Sequence, residues 1–228
     1  MFSVIFEVCP KPGQWDAYLA YGRLLRPDLA QVDGFIDNVR YASKRRPGWV
    51  LSLSTWRDEK ALVRWRTAAR HHDVQEKGRF EVFADYHLRV GQVTADNQVP
   101  DGHALREQRL DETEAGASKA VSIIEMRQPP GLAAGASAEA AAAWLGLPAG
   151  APPGLVEWDL FEAVLEPGEM ALLLSWRGAP EADAGETAAI PPAARLRRVR
   201  VVRDYGMFER HEAPQYYAEA HRAAAPRS

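Results

Sequence analysis

The stretch Leu51–Gly78, LSLSTWRDEKALVRWRTAARHHDVQEKG, decides how the rest of the chain is read. Its first residues make an apolar strand ending at Trp56, Arg57–Asp58 turn the chain, and Asp58–Lys77 reads as one helix. Both helix ends are written in the sequence. Asp58 can cap the first turn and Glu59 adds favourable charge there, while Lys77 sits in the last turn and Gly78 is the natural stop. Leu62, Trp65, Ala69 and His72 recur at three- and four-residue steps as one stripe, flanked by Ala61, Ala68, His71 and Gln75. Arg64, Arg66, Arg70, Asp73 and Lys77 face outward. A strand that delivers an indole and two imidazoles lines either a pocket between helix and sheet or an ordinary core with one hydrogen-bonded His and one exposed.

Toward the N-terminus, Phe2–Cys9 alternates as a strand, with Phe2, Val4, Phe6 and Val8 on one face and Ser3, Ile5, Glu7 and Cys9 on the other. Phe6 and Glu7 therefore cannot face the same pocket. Trp15–Val32 follows as a helix with Tyr18, Leu25 and Leu29 inward, and Pro27 is expected to bend or interrupt it, because proline removes a donor and crowds the preceding turn. Asp33–Gly34 turns into a strand at Phe35–Ser43. The basic hairpin loop Lys44–Gly48 is expected in solvent, Trp49–Trp56 is the third strand and Tyr86–Thr94 the fourth.

Beyond this unit, Ala95–Lys119 is polar and lacks a sustained apolar face, which predicts a linker with at most one short helix at Gly102–Leu110. The second half then repeats the first at low fidelity. AVSIIEM at Ala120–Met126 echoes the opening SVIFEV, an alanine-rich helix at Ala133–Leu147 replaces the first helix, and Leu155–Val164 pairs with Glu169–Trp176 about Pro167–Gly168. LLLSWRGAPEA at Leu172–Ala182 echoes LSLSTWRDEKA, and Leu196–Tyr205 takes the place of the closing strand. After Trp176 come Gly178, Pro180, Gly185, Pro191 and Pro192, so the second helix is expected to be shortened or lost, with any counterpart of Trp65, His71 and His72. The expected units are 1–96, a linker at 97–118, a degenerate repeat at 119–210 and a tail at 211–228.

The order strand, helix, strand, strand, helix, strand carries a recognisable set of motifs. FEV lies near the start, LSLSTWRDEKAL precedes a W-x5-H-x3-Q helix (Trp65, His71, Gln75), and GR and FADYHLRVGQV follow. Over Phe2–Thr94 this resembles the antibiotic biosynthesis monooxygenase superfamily of dimeric α+β barrels. The resemblance implies an α+β chain of two tandem ferredoxin-like repeats, packed sheet to sheet as an internal dimeric α+β barrel with a cleft between sheet and helices. Some relatives are cofactor-independent oxygenases of polycyclic phenols, some degrade haem, and many have no assigned chemistry. Haem-degrading relatives use a first-strand Asn, a helical Trp and a His further along that helix; Glu7 and Gln75 stand here near the first and last of these places, which speaks against haem.

Composition narrows the classes further. The chain has 228 residues, 46% hydrophobic with seven Trp, enough for a sizeable core. A formal charge of −3 gives no general attraction to nucleic acid or anionic membranes, and no apolar run reaches the length of a membrane helix. One cysteine, Cys9, excludes an internal disulfide and fits a reducing cytoplasm. Arg195, Arg197, Arg198, Arg200 and Arg203 form the densest charge run. In a regular strand Arg198 and Arg200 share one face, and Arg195, Arg197 and Arg203 the other with Val199 and Val201. That is no continuous basic stripe, so pairing with acids, the linker's included, is expected rather than nucleic-acid binding. The aromatic tail after Tyr205 is expected to wrap over a sheet edge or a neighbouring chain before fraying at Ala223–Ser228, which leaves monomer and homodimer both open.

No Gly-rich nucleotide loop is present, and the Ser residues of LSLST lie within a strand rather than at a strand-to-helix elbow. No cofactor or metal is expected. Oxygen chemistry on an aromatic phenol needs a base, donors that hold the resulting anion, and a dry apolar slot. His71 or His72 can be the base, Trp65 and Phe6 can flank a ring, and Arg40 or Tyr86 can hold an oxygen, with Glu7 a further contact. His71 matches the W-x5-H spacing, whereas His72 aligns better with Trp65. Three readings follow: an oxygenase of a small aromatic ligand, a small-molecule-binding barrel without oxygenase activity, and a structural or regulatory internal pseudo-dimer.

Overall fold

In each half, two central strands take antiparallel partners on both sides because their side chains alternate between two buried faces. The computed structural model describes residues 1–128, 136–147, 150, 152–178 and 190–220. β1 (Phe2–Pro10) lies between β3 (Val50–Trp56) and β4 (Phe83–Asp96), and β2 (Phe35–Ser43) pairs with β3. The second half has the same arrangement. β5 (Ala120–Arg127) lies between β7 (Glu169–Trp176) and β8 (Arg195–Gly206), and β6 (Leu155–Ala163) pairs with β7. β4 runs beside β8 from His87↔Gly206 to Asp96↔Arg197, and β2 meets β6 over Tyr41↔Ala163 to Ser43↔Phe161. All eight strands thus close a ring in the order β1-β3-β2-β6-β7-β5-β8-β4. Exchanging each strand with the one numbered four higher keeps every neighbour pair and reverses the sense of the ring, as a two-fold perpendicular to the ring axis requires. The chain is a mixed α+β fold built from a tandem repeat.

The inner faces of the two halves form one core of Ile5, Leu51, Leu53, Val93, Val121, Ile123, Leu173 and Val199, all essentially inaccessible. Each buried Leu or Ile contributes roughly 1.5–3 kcal/mol relative to exposure. Two arginines cross this core with matching partners. Arg89 bonds Glu7 in its own half and Ser175 Oγ across the interface at 2.7 Å; Arg197 bonds Glu125 and Thr55 Oγ1, the latter also at 2.7 Å. Burial works to raise the Glu7 carboxyl, but Arg89 and Arg46 hold it below its ordinary value.

Helices cover the outer faces. α1 (Trp15–Ala30) buries Tyr18, Leu25 and Leu29 and runs unbroken through Pro27, contrary to the expected interruption. Proline sits in its last turn, where one lost donor leaves only one carbonyl to find another partner. The expected single helix at Asp58–Lys77 is two: α2 (Glu59–Thr67) and α3 (Ala69–Lys77), separated by Ala68 in an extended conformation with ψ 127°. Asp58 does cap α2, accepting from the Ala61 amide at 2.8 Å. Gly78 does not stop the chain; it stays right-handed and begins a π-helical turn, Gly78–Val82. In the second half, α4 (Ala138–Trp144) starts at Ser137, whose hydroxyl accepts from the Ala140 amide.

Other expectations change with packing. No helix forms at Gly102–Leu110; the segment is an extended strap whose Gln108 and Arg109 amides donate to Gln92 Oε1, each at 2.7 Å. The Lys44–Gly48 loop is solvent-exposed as expected except at Arg46, yet its cations are paired. Arg46 bridges Glu7 and Asp159, Lys44 pairs with Glu162 at 2.9 Å, and Arg45 lies 3.7 Å from the Trp158 ring centroid. The alternation of the β8 arginines fails at Arg203, because pairing shifts between Val90↔Arg203 and Gly91↔Val201. The extra residue, Val202, is a bulge that turns Arg203 to the outer face. Arg195 and Arg200 do pair with acids, Asp96 and the linker's Glu107, each at 2.8 Å. The lost second helix expected over 179–189 and the start of the alanine-rich helix lie outside the described residues, as does 221–228. No helix among the described residues is long and apolar enough to cross a membrane.

Candidate active site between the helices and the first sheet

Between α1, α2, α3 and the outer face of β1–β4 lies a cavity of about 650 Å³. Its aromatic wall comes from strand alternation. Phe6 on β1 meets Tyr86 on β4 with ring centroids 5.6 Å apart and Phe83 at 5.9 Å, and Tyr18 from α1 meets Phe83 at 6.2 Å. Trp65 from α2 forms the opposite wall. The break at Ala68 lets α3 fold back, so that the His71 ring stacks on Trp65 with centroids 4.2 Å apart and planes 16° from parallel.

His71 Nδ1 lies 3.0 Å from the Trp65 carbonyl. A carbonyl only accepts, so this bond places the proton on Nδ1 and leaves the Nε2 lone pair free. Burial pushes the imidazole pKa down to about 4, against the bond to Trp65, with His72 lowering it further. His71 is therefore a neutral imidazole across the physiological range.

The lining is cationic although the chain as a whole is not. Seven arginines and three carboxylates (Asp37, Glu59, Glu166) border the cavity, an excess of four positive charges. Arg40 enters from β2 beneath α1, where a β-carbon at Gly22 would lie 2.9 Å from Arg40 Cζ; the glycine makes the approach possible. Arg79, on the π-helical turn, is 2% exposed and donates to Tyr86 Oη at 3.1 Å and to the Met207 carbonyl at 2.7 Å. Arg210, from the segment after β8, donates to the same Tyr86 oxygen at 2.7 Å. Burial pushes the neighbouring Tyr205 phenol up to about 12.

Of the residues singled out in the sequence, Trp65, His71, Phe6, Arg40 and Tyr86 border this one cavity. His72 does not. The helix break rotates it outward, where it is exposed and stacks on Tyr217 at 5.6 Å. Glu7 points the opposite way from Phe6, into a second, inner cavity of about 430 Å³ shared with Arg46, Arg89 and Asp159. Sequence reasoning missed Arg79, Arg203 and Arg210, and the tail residues Gln215 and Tyr217 that close the wall. Gln215 donates to Gln75 Oε1 at 3.1 Å, so the tail wraps over α3 of its own chain. Among the described residues no group of three His, Cys, Asp or Glu side chains is arranged to hold a metal ion.

Residues 1–77 match the family model described as antibiotic biosynthesis monooxygenase. Jasmonate monooxygenase of Pyricularia oryzae is 50% identical over 224 residues, covering 96% of this chain and 100% of that protein. The chain belongs to the antibiotic biosynthesis monooxygenase family. Within it, this member carries both repeats and the cavity on a single chain. Two solved structures are more distant: a suspected monooxygenase of Lactobacillus acidophilus (10% identity, 89% of this chain and 94% of that one, TM-score 0.39) and an anthrone oxidase-like protein (14% identity, 94% and 96%, TM-score 0.31). Likenesses that weak add nothing to the assignment.

Proposed function

We propose that this protein is a cofactor-independent monooxygenase whose substrate is a small, largely apolar ring compound bearing an acidic oxygen, bound in the cavity against Trp65 and His71. The observation that carries this is the cavity itself: an aromatic slot with a neutral imidazole and an excess of guanidinium, in a chain that aligns along nearly its whole length with a jasmonate monooxygenase. The aromatic phenol expected from the sequence and jasmonate, a cyclopentanone carboxylate, both fit that description. Residues 1–96 are the catalytic unit in this reading, 97–118 a strap, 119–210 the partner that completes an internal dimeric α+β barrel, and 211 onward a tail closing the site.

The division of labour follows from magnitudes. Moving a proton from a phenol of pKa near 10 to an imidazole of pKa about 4 is uphill by about 8 kcal/mol. A guanidinium about 5 Å from the new anion, at an effective dielectric of about 20, returns about 3 kcal/mol. Two or three arginines therefore matter more to ionisation than the base does. His71 Nε2 receives the proton, Trp65 and Phe6 hold the ring, and Arg40 stabilises the oxygen. The carbanion or phenolate then gives its electrons to oxygen, a carbon–oxygen bond forms, and the hydroperoxide loses water to leave a carbonyl. In sum a methylene carbon and one molecule of dioxygen become a carbonyl and one molecule of water, with the substrate supplying every electron.

Oxygen uptake by the full-length protein with jasmonate, and separately with an anthrone, tests this. The expected result is uptake without added reductant and a product that has gained one oxygen and lost two hydrogens. No uptake with either compound, or uptake only with a reduced nicotinamide, overturns it.

A further inference from the structure

The most deeply buried arginines among the described residues have carboxylate partners, with one exception that lies on the cavity. Arg89 has Glu7, Arg197 has Glu125 and Arg195 has Asp96. Arg79 is as deeply buried as the first two, yet it bonds only neutral oxygens: Tyr86 Oη, the Met207 carbonyl and, at 3.4 Å, the Ala218 carbonyl. Its Nε–H has no partner among the described residues, as in Arg89 and Arg197, so what sets it apart is the absence of a carboxylate; the count of donors leaves one Nη2–H as well. Arg210 repeats the pattern, with Tyr86 Oη and the Gln215 carbonyl at 2.8 Å. Among the described residues neither guanidinium forms an ion pair.

An uncompensated buried cation is costly, and folds retain one where a ligand supplies the missing charge. Tyr86 sharpens the point. Its oxygen accepts from two guanidiniums at once, so its own proton is free for a third group. Phe6 packs on the same ring, placing the apolar slot directly beside these donors.

From this we infer that Arg79, Arg210 and Tyr86 form an anion-recognition subsite that holds the carboxylate of a monocarboxylic substrate and sets which end of the molecule reaches His71. The inference rests on the proposed use of this cavity but names a separate property, selection for charge. Arg79 comes from the π-helical turn and Arg210 from the segment after β8, so the subsite exists only once the C-terminal segment has crossed to the first half. Carboxylate recognition thereby requires the complete tandem chain.

Equilibrium binding, read by tryptophan fluorescence of the full-length protein, separates charge selection from turnover. The probes are jasmonate and its methyl ester, which share one apolar body, with dodecanoate and dodecanol as a pair lacking the ring. The charged member of each pair is expected to bind at least tenfold more tightly. Arg210→Gln should reduce that ratio to near one with little change for the neutral probes. Arg79→Lys, which keeps the buried charge but loses the planar fork, and Tyr86→Phe should each reduce it severalfold. Equal binding of acid and ester, no binding of either pair, or a ratio unchanged in Arg210→Gln and Arg79→Lys overturns the subsite. Oxygen uptake in the same samples reports independently on the monooxygenase reading: charge-selective binding without uptake leaves the subsite standing and removes the reaction, and uptake with equal binding does the reverse.

Discussion

The outer faces of the two halves have taken opposite courses over nearly equivalent sheets. On the first, α1 and α2 pack against Phe2, Trp56 and Val90 through Leu25, Leu29, Ala61 and Leu62, yet the helices leave the 650 Å³ cavity over the rest of the sheet. On the second, α4 lies directly against the sheet, with Ala141, Ala142 and Leu145 in contact with Leu160, Leu172, Leu174, Trp176 and Leu196. The small side chains of α4 allow the close approach. Matching the buried arginines (Arg89 to Arg197) puts Ala194 where the first half has Tyr86, and matching Glu7 to Glu125 puts Ile124 opposite Phe6. Both replacements sit in the second half's packed cluster. The interior stayed symmetric because each half needs the other's hydroxyl and core to satisfy its own buried charge. The outer face was under no such reciprocal constraint, and among the described residues the first keeps a cavity where the second packs α4 on its sheet.

The symmetric interior should show the largest effects. Glu7→Ala leaves Arg89 with Ser175 and only the longer, half-exposed contact to Glu157 at 3.6 Å, and Glu125→Ala removes the carboxylate of Arg197. Breaking a buried pair in this way costs about 3–5 kcal/mol. Urea unfolding should show a loss of that size for Glu7→Ala and one toward the lower end for Glu125→Ala, whose carboxylate is slightly more exposed. A change below about 1 kcal/mol in either would mean that the two pairs are not the matched devices the geometry describes.

The outer faces should then respond unequally to added volume. Ala142→Leu forces new methyl groups into the packed cluster under α4 and should cost about 1–3 kcal/mol. Val4→Phe places its extra atoms in the cavity, so its stability should stay within about 1 kcal/mol of the parent. Its kcat/KM should nonetheless fall by roughly tenfold or more, because the ring displaces substrate from its place. Equal destabilisation by the two substitutions would contradict the contrast between an open face and a filled one.

The sequence shows the repeated skeleton because strands advertise themselves by alternation. Glu7 and Glu125, and Trp56 and Trp176, occupy matching places in echoing motifs, and the pairing confirms both echoes. The site was only half visible. Trp65, Phe6, Arg40 and Tyr86 follow from helix stripe and strand parity, but nothing in Arg66-Thr67-Ala68-Ala69 marks a break, since each of these residues tolerates a helix. Extending the stripe through Ala68 puts His72 inward, and the extended Ala68 puts His71 there instead. The same kind of blindness hid Arg203, turned by a bulge whose only glycine, Gly91, lies on the facing strand, and Arg46, whose partner Asp159 lies 113 residues away. Arg79 stood in a noted Gly-Arg pair, yet its missing carboxylate is a property of space that no local pattern encodes.

The smallest expected effect concerns His71, which the helix break brings onto Trp65. His71 has a folded pKa of about 4 against an ordinary value of 6.5. Between those values the unfolded chain binds the proton and the folded chain does not, so stability rises with pH in that window. The contribution is complete above pH 6.5 and is lost progressively as pH falls toward 4. Integrated over the shift it is at most about 3 kcal/mol, and partial solvent access makes about 1–2 kcal/mol the expected size. His71→Phe keeps a ring against Trp65 but has no proton to gain, so its stability should decline less steeply than the parent's between pH 6.5 and 4. Urea titrations at a series of pH values provide the comparison. Parallel curves for parent and His71→Phe would mean that the imidazole stacked on Trp65 is not the group whose protonation burial opposes.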